Sequence, residues 1–78
     1  MNFEIGDVIE LNDGENYAII KKIEVNKITY LYLITTSTPT KTIIAKQLNK
    51  DNEIVMETVS DKEELDYILY KISKQIEN

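Results

Sequence analysis

The stretch YAIIKKIEVNKITYLYLIT, residues 17–35, decides the fold. It holds two runs rich in β-branched and aromatic residues, Tyr17–Val25 and Ile28–Thr35, separated only by Asn26-Lys27. Such residues suit a pleated, half-buried surface, and a two-residue gap is the length of a tight hairpin turn. Asn26 tolerates the positive φ that the turn needs. A turn there pairs Val25 with Ile28, Ile23 with Tyr30, Lys21 with Tyr32 and Ile19 with Ile34. One face then carries Ile19, Ile23, Val25, Ile28, Tyr30, Tyr32 and Ile34, and the other Ala18, Ile20, Leu31 and Leu33. Both faces are too apolar for a flat sheet with one wetted side. The sheet either closes as a small SH3-like barrel or offers its second face to another chain.

Working outward, Asp7–Leu11 alternates weakly and ends in Asn12-Asp13-Gly14-Glu15, where Asp-Gly signals a hairpin. On the other side, Pro39 cannot sit inside a ladder, so residues 35–40 read as a loop. Thr42–Leu48 and Ile54–Val59 are two further strands, separated by the polar Asn49-Lys50-Asp51-Asn52. The period then changes. Leu65, Ile68, Leu69, Ile72 and Ile76 fall on one helical stripe, with Ser60 as the expected N-cap and Glu63 completing a capping box. The expectation is an α+β fold in one domain: an antiparallel meander of about five strands over residues 1–59 and a helix over 60–77.

Composition narrows the chemistry. The 78 residues include no histidine, cysteine, tryptophan or arginine. A neutral-pH acid/base, a thiol nucleophile, soft metal ligation and bidentate phosphate recognition are thereby missing. A 42% hydrophobic fraction with only two glycines and one proline argues for folding over disorder. Met1–Asp7 lacks the basic and apolar regions of a signal peptide, and Tyr30–Ile34, the longest apolar run, cannot span a bilayer. A cytoplasmic protein without a membrane segment is expected.

The net charge of −5 is unevenly spread. Glu4, Asp7, Glu10, Asp13 and Glu15 open the chain without a lysine, and residues 51–66 are again acidic apart from Lys62. Between them lie Lys21, Lys22, Lys27, Lys41, Lys46 and Lys50 against Glu24 alone. A negative average disfavours generic binding to polyanions.

Ser37, Ser60 and Ser73 have no histidine to activate them, and the paired acids sit where helix starts and turns favour acids anyway, so no catalytic site is expected. Asn49, Asp51 and Glu53 space like the start of a calcium loop, but Ile54 stands where glycine is needed. No metal or cofactor is expected.

Three surfaces remain as candidates. Glu63, Tyr67, Tyr70 and Lys74 project together on the helix side opposite Leu65, Leu69 and Ile72, as a partner surface would. Ile20, Leu31 and Leu33 would form a self-association face if nothing within the chain covered them, and a homodimer would then supply the cover. Lys21, Lys22, Tyr30, Tyr32 and Lys46 could together form a face for single-stranded nucleic acid, with bases stacking on the tyrosines and lysines meeting the phosphates. The expectation is a non-enzymatic protein-interaction or accessory module, its protein partner unknown; the nucleic-acid barrel is the alternative and the less favoured one.

The string Gly6-Asp7-Val8-Ile9-Glu10-Leu11-Asn12-Asp13-Gly14-Glu15, the Tyr30-Leu31-Tyr32-Leu33 strand and the closing Asp61-Lys62-Glu63-Glu64-Leu65 are similar to a domain-of-unknown-function family of small acidic bacterial proteins. The resemblance implies strands followed by an acidic terminus, and brings no activity or site with it.

Overall fold

Asn26 and Lys27 adopt φ of 52° and 68°, the left-handed pair of a mirror-image turn whose twist matches the strands it joins. The same device recurs at Asp51 and Asn52, with φ of 50° and 67°. Because that second turn needs only two residues, the flanking strands run through Asn49, Lys50 and Glu53, which read as a polar connection in the sequence. The computed structural model describes residues 3–76 and contains β1 (Val8–Glu10), β2 (Asn16–Val25), β3 (Ile28–Thr35), β4 (Thr42–Lys50), β5 (Glu53–Thr58) and α1 (Lys62–Ile76). It is an α+β fold. The five strands form one antiparallel sheet in the order β1-β2-β3-β4-β5, curled as a half-barrel.

The central hairpin follows the expected register from Val25↔Ile28 to Lys21↔Tyr32, and then departs from it. Ile20 is an extra residue, so Ile19 pairs with Leu33 and Ala18 with Ile34. A bulge of this kind turns everything beyond it to the opposite face. Tyr17 and Ile19 therefore leave the face of Ile23 and Tyr30 and join Leu31 and Leu33. Each face gains its own core. One comprises Ile23, Tyr30, Ile44 and Val59 beneath Ile68 and Ile72 of α1; the other comprises Tyr17, Ile19, Leu31, Leu33 and Ala45 on the concave side.

Closure into an SH3-like barrel is not seen: no pairing joins β1 to β5 among the described residues. In a five-strand meander the first and last strands run in the same direction, so closing this one would require a parallel pair. Both of those strands are also flanked by acids.

The helix starts one residue later than the sequence suggests. Asp61, not Ser60, is the N-cap: its Oδ2 accepts from the Glu64 N–H at 2.9 Å, and its carbonyl accepts the first helical bond from Leu65 at 2.8 Å. The Glu64 side chain does not fold back as a capping box would require; it points to the sheet. Ile68 and Ile72 are buried and Leu65 is half-buried, whereas Leu69 lies at the margin of the stripe and is 41% exposed. The Ile76 side chain and the expected continuation to Glu77 lie outside the described residues.

This separates two neighbours that the stripe grouped together. Ile72→Asp should abolish the cooperative urea transition, since an unpaired buried carboxylate costs several kcal/mol against a total of about 5. Leu69→Asp should cost no more than about 1 kcal/mol. Equal loss of midpoint in the two variants would contradict the helix orientation.

Candidate binding cleft

The concave core is roofed on only part of its area. Between β1 and β5 runs an open cleft of about 840 Å³. One wall is Phe3, Ile9, Glu10, Leu11, Asn12 and Asp13; the other is Ile54, Val55, Met56, Glu57 and Thr58. Its floor is the underside of the core, because Phe3, Ile9, Leu11 and Met56 pack against Tyr17, Ile19, Leu31 and Leu33.

The wall from Phe3 to Asp13 is held by identifiable contacts. Lys22 Nζ donates to the Phe3 carbonyl at 2.9 Å. A turn closed by Asp7 N–H to the Glu4 carbonyl at 3.0 Å, followed by Gly6 N–H to the Ile19 carbonyl at 2.8 Å, carries the chain into β1. At the far end of β1, Gly14 takes φ of 81° to complete the Asn12-Asp13-Gly14 turn. There the Tyr17 hydroxyl donates to Asp13 Oδ2 at 2.7 Å, and the Glu15 N–H donates to Oδ1 at 2.9 Å. Those two donors hold the Asp13 carboxyl below its ordinary range. The same bond to a carboxylate, reinforced by burial, pushes the Tyr17 phenol up to about 12.

The strand edges bounding the cleft carry unsatisfied ladder groups. At the two ends of β1, the Asp7 carbonyl accepts from Ile19 N–H and Leu11 N–H donates to the Glu15 carbonyl. Alternation then turns the backbone groups of Val8 and Glu10 away from β2. In β5, the tight turn makes Lys50↔Glu53 a bonded pair, and Val59 N–H donates to the Ile44 carbonyl at 2.8 Å. By the same alternation Ile54, Met56 and Thr58 aim their N–H and C=O groups outward, while their side chains lie on the concave face. Glu10, Asp13 and Glu57 stand along the walls, and no lysine does.

The surfaces expected from the sequence fare differently. Glu63, Tyr67, Tyr70 and Lys74 do lie together on the exposed helix face, with Tyr67 47% and Tyr70 56% exposed. Each ring is covered from its own helix, by Lys71 Nζ at 5.5 Å from the Tyr67 centroid and Lys74 Nζ at 5.6 Å from that of Tyr70. Beside Tyr67 and Lys71 lies a shallow hollow of about 350 Å³ reaching to Glu24 and Asn26.

The self-association face does not exist as a surface. Leu31 and Leu33 are wholly buried, because the curl of the sheet and the bulge bring Tyr17, Ile19 and Phe3 over them; Ile20 alone is partly exposed. The nucleic-acid face is likewise divided. Lys22 lies opposite Leu31 on the concave side, whereas Lys21, Tyr30, Tyr32 and Lys46 belong to the helix side. Tyr30 is 5% exposed and donates its hydroxyl to Glu64 Oε2 at 2.8 Å. Lys46 Nζ is held by the same oxygen at 3.2 Å and by Glu57 at 3.6 Å. Burial and the Glu64 bond raise the Tyr30 phenol, and the Glu64 contact raises Lys46, so neither group titrates nearer to neutral pH than usual. This cluster fastens the helix to the sheet.

The cleft itself was not expected. Its signal in the sequence is the pair of acidic segments that begin and end the β-region, which the meander places at opposite edges of the sheet. Among the described residues no group of His, Cys, Asp or Glu is placed to hold a metal ion, and no helix is long and apolar enough to cross a membrane. Compared with known families, curated proteins and solved structures, the chain matches none.

The pH dependence of stability follows from the three raised groups. A phenol at about 12 in the fold and about 10 unfolded stabilises fully below pH 10 and loses its contribution as pH climbs toward 12. Tyr30 and Lys46 act with the same sign. Asp13, held low, contributes above its ordinary 3.8 and loses its contribution as pH falls through that region. The urea midpoint should drop between about pH 10 and 12, and Tyr17→Phe should both lower the neutral-pH midpoint and flatten that drop. An unchanged alkaline slope in Tyr17→Phe would contradict the Asp13–Tyr17 bond.

Proposed function

We propose that this protein is a non-enzymatic protein-interaction module that binds its partner in the cleft between β1 and β5. The observation that carries this reading is the cleft itself: an apolar floor bounded by two strand edges whose outward backbone donors and acceptors face no further strand among the described residues. Exposed edges of this kind pair readily with other chains. The walls offer carboxylates, an amide and the Thr58 hydroxyl, without a base placed beside a nucleophile, and that supports binding over catalysis. The tyrosine face of α1 is the weaker candidate, because a partner there would have to displace two lysines that already cover the rings.

A photo-reactive phenylalanine derivative at Thr58, with matched variants at Lys27 in the distant turn and Tyr70 on the helix, tests the location of the site. Irradiation in native extract should give protease-sensitive adducts from position 58 and few from position 27. Adducts from position 70 without any from 58 would move the site to the helix. Nuclease-sensitive adducts would overturn the protein-binding reading.

A further inference from the structure

We infer that the occupant of the cleft is a single extended peptide strand of about five residues, apolar and basic in alternation, that adds to the edge of β5 and completes a six-stranded barrel. This rests on the cleft being the binding site and adds the chemistry of what enters it.

Topology comes first. β1 and β5 run in the same direction, so one strand inserted between them can be antiparallel to both. The all-antiparallel pattern then closes at an even number of strands, which five strands cannot achieve. Such a strand meets the outward N–H and C=O groups of Ile54, Met56 and Thr58 on one side and of Val8 and Glu10 on the other. Main-chain bonds supply affinity in strand addition, and alternate side chains supply specificity.

Size agrees. The outward backbone groups of β5 run from Ile54 to Thr58, so a strand of about five residues spans that edge.

The side-chain pattern follows from the faces. Successive residues of the incoming strand point alternately to the concave and the outer side. On the concave side they meet Phe3, Leu11 and Met56, so those positions are apolar. On the outer side they pass between Glu10 and Glu57, which share that face because they alternate with the inward Ile9 and Met56. Glu57 is 55% exposed and only loosely held by Lys46, so its carboxylate can still take a second cation. Lysine or arginine belongs at those positions. Like charges facing one another across the seam also disfavour its closing without a partner.

The test uses the intact protein with the peptide Lys-Val-Lys-Ile-Lys-Val-Lys, capped at both ends. Two controls accompany it: the same sequence with glutamate for lysine, and the lysine peptide N-methylated at alternate residues. Amide exchange and chemical shifts of the protein are read by NMR. The lysine peptide should shift and protect the amides of Ile54, Met56 and Thr58. Both controls should bind at least tenfold more weakly, and Glu10→Gln/Glu57→Gln should weaken the lysine peptide several-fold while the variant still melts cooperatively and stays folded at the binding temperature. Equal binding of the N-methylated peptide would overturn strand addition, leaving only charge attraction. Equal binding of the glutamate peptide would overturn the basic pattern. Protection of those three amides in the free protein, together with a dimer in sedimentation, would show that a second copy fills the edge and would overturn the proposal. Failure of the lysine peptide alongside protein adducts at position 58 would remove this inference and leave the interaction-module reading standing; absence of both would remove the two together.

Discussion

One extra residue, Ile20, governs this fold. A five-strand sheet with one helix can ordinarily bury only the face beneath the helix, and in a chain of 78 residues that core is thin. The bulge between Ile19 and Lys21 moves Tyr17 and Ile19 off the helix face and bends β2 so that the sheet curls over them. The result is two cores on the two sides of one sheet, with β3 contributing to both: Tyr30 points to the helix, Leu31 and Leu33 to the concavity. Without the bulge, Tyr17 and Ile19 would crowd the helix side, and Leu31 and Leu33 would lose the side chains that cover them.

Charge placement then shapes what the curl leaves open. Three of the lysines between β1 and β5 are taken up locally: Lys22 holds the Phe3 carbonyl, Lys41 stands 3.7 Å from Glu15, and Lys46 is held by Glu57 and Glu64. Acids gather at the two terminal strands, which face each other across the seam. Surface pairs of this kind contribute little energy individually. Their distribution nonetheless matters, because it leaves the seam lined by Glu10, Asp13 and Glu57 without a lysine. The like charges oppose the edge closing on itself, and they are what the proposed cationic strand would meet.

Much of this was legible in the sequence, for reasons that lie in particular residues. Asn26-Lys27 fixed the central hairpin because a two-residue turn leaves no freedom of register near it. The helix was visible because Leu65, Ile68, Leu69, Ile72 and Ile76 recur at helical spacing. What the sequence concealed were one-residue effects. A bulge inside the uniformly apolar run Tyr17–Ile20 leaves no mark, since every residue there suits either face, and simple alternation groups Ile19 with Ile23. Ser60 and Asp61 are both good caps, and only the bond to Glu64 N–H decides between them. Leu69 sits at the angular limit of the stripe, where a small rotation of the helix exposes it. The cleft was hidden for a different reason: it is made of edges, and nothing in the spacing of β1 and β5 shows that the sheet curls until they face each other.

Amide hydrogen exchange along the two terminal strands of the free protein tests the account most directly. An open seam predicts alternation, with slow exchange at Ile9, Val55 and Glu57, whose N–H groups point into the sheet, and fast exchange at Val8, Glu10, Ile54, Met56 and Thr58, whose N–H groups face the cleft. Uniform protection along both strands of the monomer would mean that β1 and β5 pair with each other, and would contradict the open half-barrel on which the proposed binding site depends.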